Sequence, residues 1–226
     1  DEFINGEKDS YVDLTYLDGA DFRKQASIRR ELLRGQIVTI GKGFPEKHLE
    51  FEAYALTPEI GYVRFNQFAM PVVEKFCDAI GKLRGTRGMI VDLRGNGGGL
   101  IAAAVGLSGM LSENPVDLGT SIYKWSEQNL KASPKVRNYK GRLIFLVDET
   151  TASAAEMFAV SFQENGRGLV VGEKSAGATL PSVVIDLPTG AVMQYPIANY
   201  RSSKGVFLEG KGITPNFVVA LDRKSL

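Results

Sequence analysis

Three short apolar runs, separated by segments patterned as helices and loops, constrain this chain more than any other feature. They are Gly-Met-Ile-Val-Asp-Leu at 88–93, Arg-Leu-Ile-Phe-Leu-Val at 142–147 and Gly-Leu-Val-Val-Gly at 168–172. Runs this short and this apolar read as strands covered on both faces, which is the condition of a parallel sheet. Residues 70–83 carry Val72, Val73, Phe76, Ile80 and Leu83 at helical spacing, and Pro71 suits a first turn. Residues 100–111 read as a buried helix of small residues and 153–165 as a third helix, while 50–56 and 60–65 read as strands. Strand and helix in alternation predict a mixed α/β core with parallel pairing.

The ends of the chain differ in texture. Residues 11–16 alternate apolar and polar, Asp18-Gly19 is a turn signal, and 22–30 is a candidate hairpin partner. Residues 36–41 read as a further strand, followed by the loop Gly41–Pro45. The organisation expected is a small N-terminal part at 1–34, a linker at 35–49 and the main domain at 50–226. Within that domain, 182–200 reads as a hairpin split at Pro188-Thr-Gly190.

Composition narrows the function classes. A chain of 226 residues is long enough for one large domain that buries roughly 70% of its unfolded surface without disulfide or metal staples. Lys+Arg is 27 against Asp+Glu 26, for a net charge of +1, which gives no reason to expect a nucleic-acid surface. Cys77 is the sole cysteine, so neither a disulfide framework nor a Cys-rich zinc site is available, and no metal or organic cofactor is called for. Beside Phe76 and Ile80, Cys77 reads as core packing. No apolar run approaches the ~18 residues of a membrane span, and the polar opening DEFINGEKDS does not read as a signal peptide.

Two strand-to-helix junctions have the residues for chemistry. The first is Asp92–Gly99, DLRGNGGG. Its consecutive glycines allow backbone N–H groups to approach an anion or oxyanion closely, although a tight turn without a ligand is an equal reading. Its spacing is that of neither nucleotide-binding glycine motif. Asp92 reads as a loop-shaping acceptor. The second is Asp148–Glu156, DETTASAAE, with Ser153 where strand gives way to helix. Ser153 and Glu156 form a capping-box pair. The same geometry also aims a helix N-terminus at the serine oxygen, and periodicity does not choose between the two roles.

Taken in order, DLRGNGGGL, TASAAE, GEKSAG and EGKGITPN resemble the carboxyl-terminal processing, or tail-specific, serine peptidases, and in pattern most of all the related tricorn core. The likeness runs from Ile60 to Val219. It implies a ClpP/crotonase-like α/β fold, Ser153 as nucleophile, and an oxyanion hole from the N–H of Ala154 with that of Gly98 or Gly99. The processing branch carries a lysine 25 residues after the serine and a glutamine four further on; here those positions hold Ala178 and Ser182. Lys174 lies four positions early, and is a candidate base where the loop differs from the family's by two or three residues. The tricorn-like branch uses serine, histidine and glutamate instead, and Glu209, 56 residues after Ser153, matches its glutamate. Its histidine lies ahead of a PDZ module, and residues 1–34 resemble the end of such a module, which would put that histidine outside this chain. His48, the one histidine present, sits in the charged stretch PEKHLEF and reads as a solvated surface residue.

The resemblance therefore implies a serine endopeptidase, or its catalytic fragment, that hydrolyses extended polypeptides through an acyl-enzyme and holds them partly by strand addition. It implies an exported parent protein and leaves room for a homo-oligomer. Two rivals share the architecture. A non-catalytic module of the retinoid- or lipid-binding type is the first. The second, an acyl-CoA enzyme of the crotonase type, gives TASAAE and EGKGITPN no role.

Overall fold

The structure is a computed structural model and describes residues 6–32 and 35–220. Contacts divide the described residues into two units, one of residues 6–32 with 35 and 220, the other of residues 36–219. In the first unit β1 (Tyr11–Leu17) and β2 (Arg23–Arg29) form an antiparallel hairpin with Leu14 opposite Ala26. Asp18 closes its turn by accepting the N–H groups of Ala20 and Phe22 at 2.9 and 3.0 Å. Val12 is buried, whereas Tyr11, Tyr16, Phe22 and Ile28 are exposed.

The second unit contains, in order, β3 (Gln36–Val38), β4 (Lys47–Leu49), β5 (Phe51–Thr57), β6 (Ile60–Phe65), α1 (Met70–Leu83), β7 (Gly88–Asp92), α2 (Ile101–Ser108), β8 (Val116–Tyr123), β9 (Glu127–Ala132), β10 (Arg142–Val147), α3 (Ala154–Glu164), β11 (Gly168–Gly172), β12 (Ser182–Asp186), β13 (Val192–Pro196), β14 (Ala198–Arg201) and β15 (Phe217–Val218). Six strands make the main sheet in the order β15-β11-β10-β7-β6-β5. It is parallel from β6 through β15 and antiparallel only at β5. The three apolar runs are thus its central strands, as their pattern predicts. A second sheet, β14-β8-β9, is antiparallel, and β3-β4 and β12-β13 are two-stranded ribbons.

The core reflects this layering. α1 buries Val72, Phe76, Ala79, Ile80 and Leu83 along one stripe. α3 is buried at every position from Ala154 to Phe162, as expected of a helix enclosed on all sides. Its Phe158 and Phe162 meet Phe145 of β10 with ring centroids 5.6 and 5.0 Å apart. The expectation for Cys77 is corrected, because its side chain is exposed. One step past Phe76 rotates a residue by about 100° around the helix, off the buried stripe. The stretch expected to be a linker carries the β3–β4 ribbon, and its Val38 and Leu49 belong to the core cluster.

Candidate active site

The site is built where β7 and β10, adjacent and parallel, end beside each other. After β7 the chain turns on Asp92. Its fully buried carboxylate accepts Tyr62 Oη–H at 2.8 Å, Arg94 Nε–H at 2.9 Å and Arg94 Nη2–H at 2.6 Å. Burial alone would raise the Asp92 carboxyl, but the hydrogen bonds from Arg94 and Tyr62 outweigh it and hold the group below its ordinary range. Burial and the Asp92 contact push the Tyr62 phenol up to about 12. Asp92 is therefore a fixed, ionised anchor for the loop.

Asn96 organises the next step. Buried completely, it donates through Nδ2 to the Phe65 carbonyl at 2.8 Å and accepts Gly98 N–H on Oδ1 at 2.9 Å, and its own carbonyl accepts Ala152 N–H at 3.0 Å. Gly98 has φ +91°, and a Cβ there would lie 2.7 Å from Ser153 Cβ and 2.9 Å from Ala154 N. Only glycine permits the two loops to meet this closely. At Gly99, φ +135°, a Cβ would strike the Phe68 carbonyl. The bonds to Phe68 use the Gly98 carbonyl and the Leu100 N–H, so Gly99 N–H has no acceptor among the described residues.

On the other side, Asp148 accepts the N–H groups of Thr150 and Thr151 at 3.0 and 2.9 Å and that of Gly95 at 3.1 Å, which joins the two loops. Thr151 Oγ1 donates to the Leu93 carbonyl at 2.9 Å. Ser153 follows at the head of α3 with φ 57° and ψ −124°. For a residue with a Cβ this is a strained conformation, of the kind that persists only where the surroundings over-determine it. Glu156 supplies that restraint. Fully buried, it accepts Ser153 N–H at 2.9 Å, Ser175 Oγ–H at 2.6 Å, Gly177 N–H at 2.8 Å and Ala178 N–H at 3.0 Å. Only half of the capping box forms: Glu156 accepts Ser153 N–H, while Glu156 N–H goes to the Ser153 carbonyl at 2.9 Å and the serine hydroxyl has no hydrogen bond among the described residues. Ala154 N–H, in the first turn, has no acceptor among the described residues.

A cavity of about 630 Å³ opens on Ser153. Gly97, Gly99, Ser182, Gln194 and Glu209 line it, along with apolar groups such as Phe44 and Leu180. Glu209 Oε2 accepts Thr179 N–H at 2.7 Å, which holds the carboxylate against the loop that Glu156 also secures. Of the residues that the sequence singles out, Ser153, Gly99 and Glu209 face this cavity, with Gly98 and Ala154 packed against Ser153. Lys174 is exposed and His48 lies in β4 opposite Ile37, and neither lines the cavity. The expectation of a solvated surface His48 is corrected: the residue is half-buried, and its Nδ1 is enclosed with no hydrogen-bond partner among the described residues. Ala178 and Ser182 do line it. Asn96, Ser175 and Thr179 lie in loop segments where spacing does not single them out, and the capping-box spacing signals Glu156 but not its three bonds to the 175–178 loop.

The profile of Peptidase family S41 matches residues 59–219. The chain is 30% identical over 238 aligned residues to the C-terminal processing peptidase, chloroplastic, of Tetradesmus obliquus, covering 100% of this chain and 49% of that protein. Among solved structures it resembles the photosystem II D1 C-terminal processing protease, with TM-score 0.69 and 26% identity over 97% of this chain and 57% of that one. It also shares the fold of the tricorn protease, with TM-score 0.59 and 21% identity over 74% of this chain and 16% of that one. The chain spans about half the length, or less, of the curated relatives it matches.

Proposed function

The chain belongs to peptidase family S41, and from that membership we propose that it carries the catalytic centre of a serine endopeptidase with Ser153 as nucleophile. The observation that carries the reading is the strained Ser153 at the head of α3, its hydroxyl without a hydrogen bond among the described residues and next to Ala154 N–H, which has no acceptor there. In this reading Ser153 Oγ attacks the carbonyl carbon of a peptide. The N–H groups of Ala154 and Gly99 receive the oxyanion, while Gly98 N–H is already given to Asn96. The tetrahedral intermediate collapses, the amine leaves with a proton, and water hydrolyses the acyl-enzyme.

No lysine or histidine is among the residues lining the cavity, and in this reading a group brought to it from elsewhere takes the serine proton. In this reading Glu209, held by Thr179, orients such a group. Gln194 and Tyr195 of β13 line the cavity, and the two-stranded ribbon they belong to has free edges on which an extended substrate adds as a strand. The same reading takes the main sheet as a ClpP/crotonase-like core, the β1–β2 hairpin as the end of a PDZ module, and the working place as outside the cytoplasm. Among the described residues no helix is long and apolar enough to cross a membrane.

The test is a fluorophosphonate probe on the 226-residue chain beside Ser153→Ala. Covalent labelling at Ser153, lost in the variant, supports the reading. Labelling that persists in the variant removes it, as does the absence of labelling at saturating probe in both the parent and Ala178→Lys, which supplies a base.

A further inference from the structure

A second cavity, of about 200 Å³, adjoins the first and shares Ile40, Phe44, Gly97 and Gln194 with it. Val38 and Pro45 extend its apolar wall, and two polar groups that the peptidase reading does not use interrupt that wall. Lys47 opens β4 opposite Val38, and its ammonium lies over the glycine loop, 3.7 Å from where a Gly97 Cβ would sit. No carboxylate pairs with it among the described residues.

The second group is Gln67, which is 2% exposed. Its Oε1 is enclosed without a partner, and its Nε2 makes no hydrogen bond to the described residues. Nε2 lies against the active-site loop, 2.7 Å from where a Gly99 Cβ would sit. An unpaired amide at this depth is costly, and an apolar side chain of the same size would pack here without that cost. The fold does not use this amide.

We propose that this cavity receives a carboxylate of the substrate, from an acidic side chain or a chain terminus, with Lys47 Nζ as its counter-charge and Gln67 Nε2 as a donor. Lys47 offers only donors and Gln67 Nε2 offers another, so together they suit a ligand that accepts twice, and the positive charge selects an anion; Gln67 Oε1, the enclosed acceptor, is left for an N–H of the same peptide. A carboxylate has two acceptor oxygens and one negative charge, whereas a peptide carbonyl has one oxygen and no charge. The apolar wall strengthens the charge interaction relative to open solvent. Lys47 is itself exposed, so the selectivity is several-fold and sensitive to salt. The inference takes the position of the peptide from the peptidase reading, but recognition itself needs no turnover.

The experiment therefore reads binding on the Ser153→Ala chain, by fluorescence anisotropy with labelled unstructured peptides. One pair differs by Glu against Gln within the peptide, and a second by a free carboxyl terminus against its amide. In at least one pair the acid binds about five-fold tighter than its neutral partner at low salt, and the pair that shows it identifies the source of the carboxylate. The preference shrinks at 0.5 M salt and vanishes in Lys47→Met. Gln67→Leu weakens it without lowering the melting temperature, and Gln67→Met repeats the test should leucine disturb the fold. Equal affinities within both pairs, a preference that survives Lys47→Met, or no measurable peptide binding would overturn the proposal. Fluorophosphonate labelling of the parent chain separates the two readings. Labelling without acid preference leaves the peptidase standing and removes this site, and acid preference with no labelling of either the parent or Ala178→Lys does the reverse.

Discussion

Glu156 Oε2 accepts the N–H of Ser153 at 2.9 Å and that of Ala178 at 3.0 Å. One buried oxygen thus fixes both the turn that bears the nucleophile and the loop position at which the processing peptidases carry their lysine. Oε1 adds Ser175 and Gly177, and Ser175 Oγ in turn accepts Ile213 N–H at 2.6 Å. The segment around Glu209 is therefore tied to the same carboxylate.

Glu156→Gln tests that link. Glutamine keeps one acceptor oxygen but turns an NH2 group toward N–H donors that need an acceptor. Stability is expected to fall by about 3 kcal/mol, the scale of hydrogen bonds to a buried charge left unmade, as read by urea unfolding. Fluorophosphonate labelling should slow at least ten-fold as Ser153 relaxes from its strained conformation. Labelling at the parent rate would separate Glu156 from the geometry of the nucleophile.

Gly98→Ala forces a Cβ against Ser153 at a positive φ. A displacement near 1 Å at the nucleophile corresponds to about 10²-fold in rate, and the left-handed backbone costs an L-residue about 1–2 kcal/mol. Gly97→Ala is the control, since its Cβ would meet only Lys47 Nζ at 3.7 Å. Labelling rates of the two variants, normalised to folded protein, should differ by about two orders of magnitude. Similar rates would mean that the close approach of Gly98 does not set the position of Ser153.

Much of this site was legible in the sequence because its residue types are dictated locally. The runs 88–93 and 142–147 became adjacent central strands because only burial on both faces suits them, and the helix read at 70–83 is α1 to the residue. β8, β9 and β14 were not foreseen. β9 reads EQNLKA with Leu130 and Ala132 buried, and so polar a strand exists only through its pairing with β8. Cys77 sat next to the apolar stripe in sequence but not on it in three dimensions. Glu156 looked like a local cap because three of its four partners come from residues 175–178, a contact that spacing along the chain does not encode. Lys47 and Gln67 carry no motif, and only the fold puts them beside the glycine loop.

Asp92 makes stability depend on pH at the acid end. Its folded pKa lies below the ordinary 3.8, so the fold binds the ionised form. That contribution is complete above the ordinary value and is lost as pH falls through the folded one. Asp92→Asn should be less stable than the parent at pH 7, and the gap should narrow below about pH 4. Urea unfolding at pH 7, 5 and 3.5 measures it; a gap that stays constant across the three would mean that ionisation of Asp92 contributes nothing.

Ala178→Lys is expected to create a hydrolase of higher activity. Ala178 lines the Ser153 cavity and its N–H is fixed by Glu156, so a longer side chain there starts from a defined backbone and extends into the space beside the nucleophile. Serine is a weak nucleophile until a base takes its proton, and the cavity has no lysine or histidine in its lining. A lysine partly withdrawn from water has a lowered pKa, which makes it a competent base. A positioned base is worth about 10²–10⁴ in rate, so the gain on unstructured peptides should be large against a weak parent. The rate should climb with pH as the new amine deprotonates, and Ser153→Ala in the same chain should abolish it. Ser182→Gln, placed where the processing peptidases carry glutamine, is the second variant, to orient the new amine. If neither Ala178→Lys nor the pair raises hydrolysis in a chain shown to be folded and labelled by fluorophosphonate, the missing base is not what limits this site.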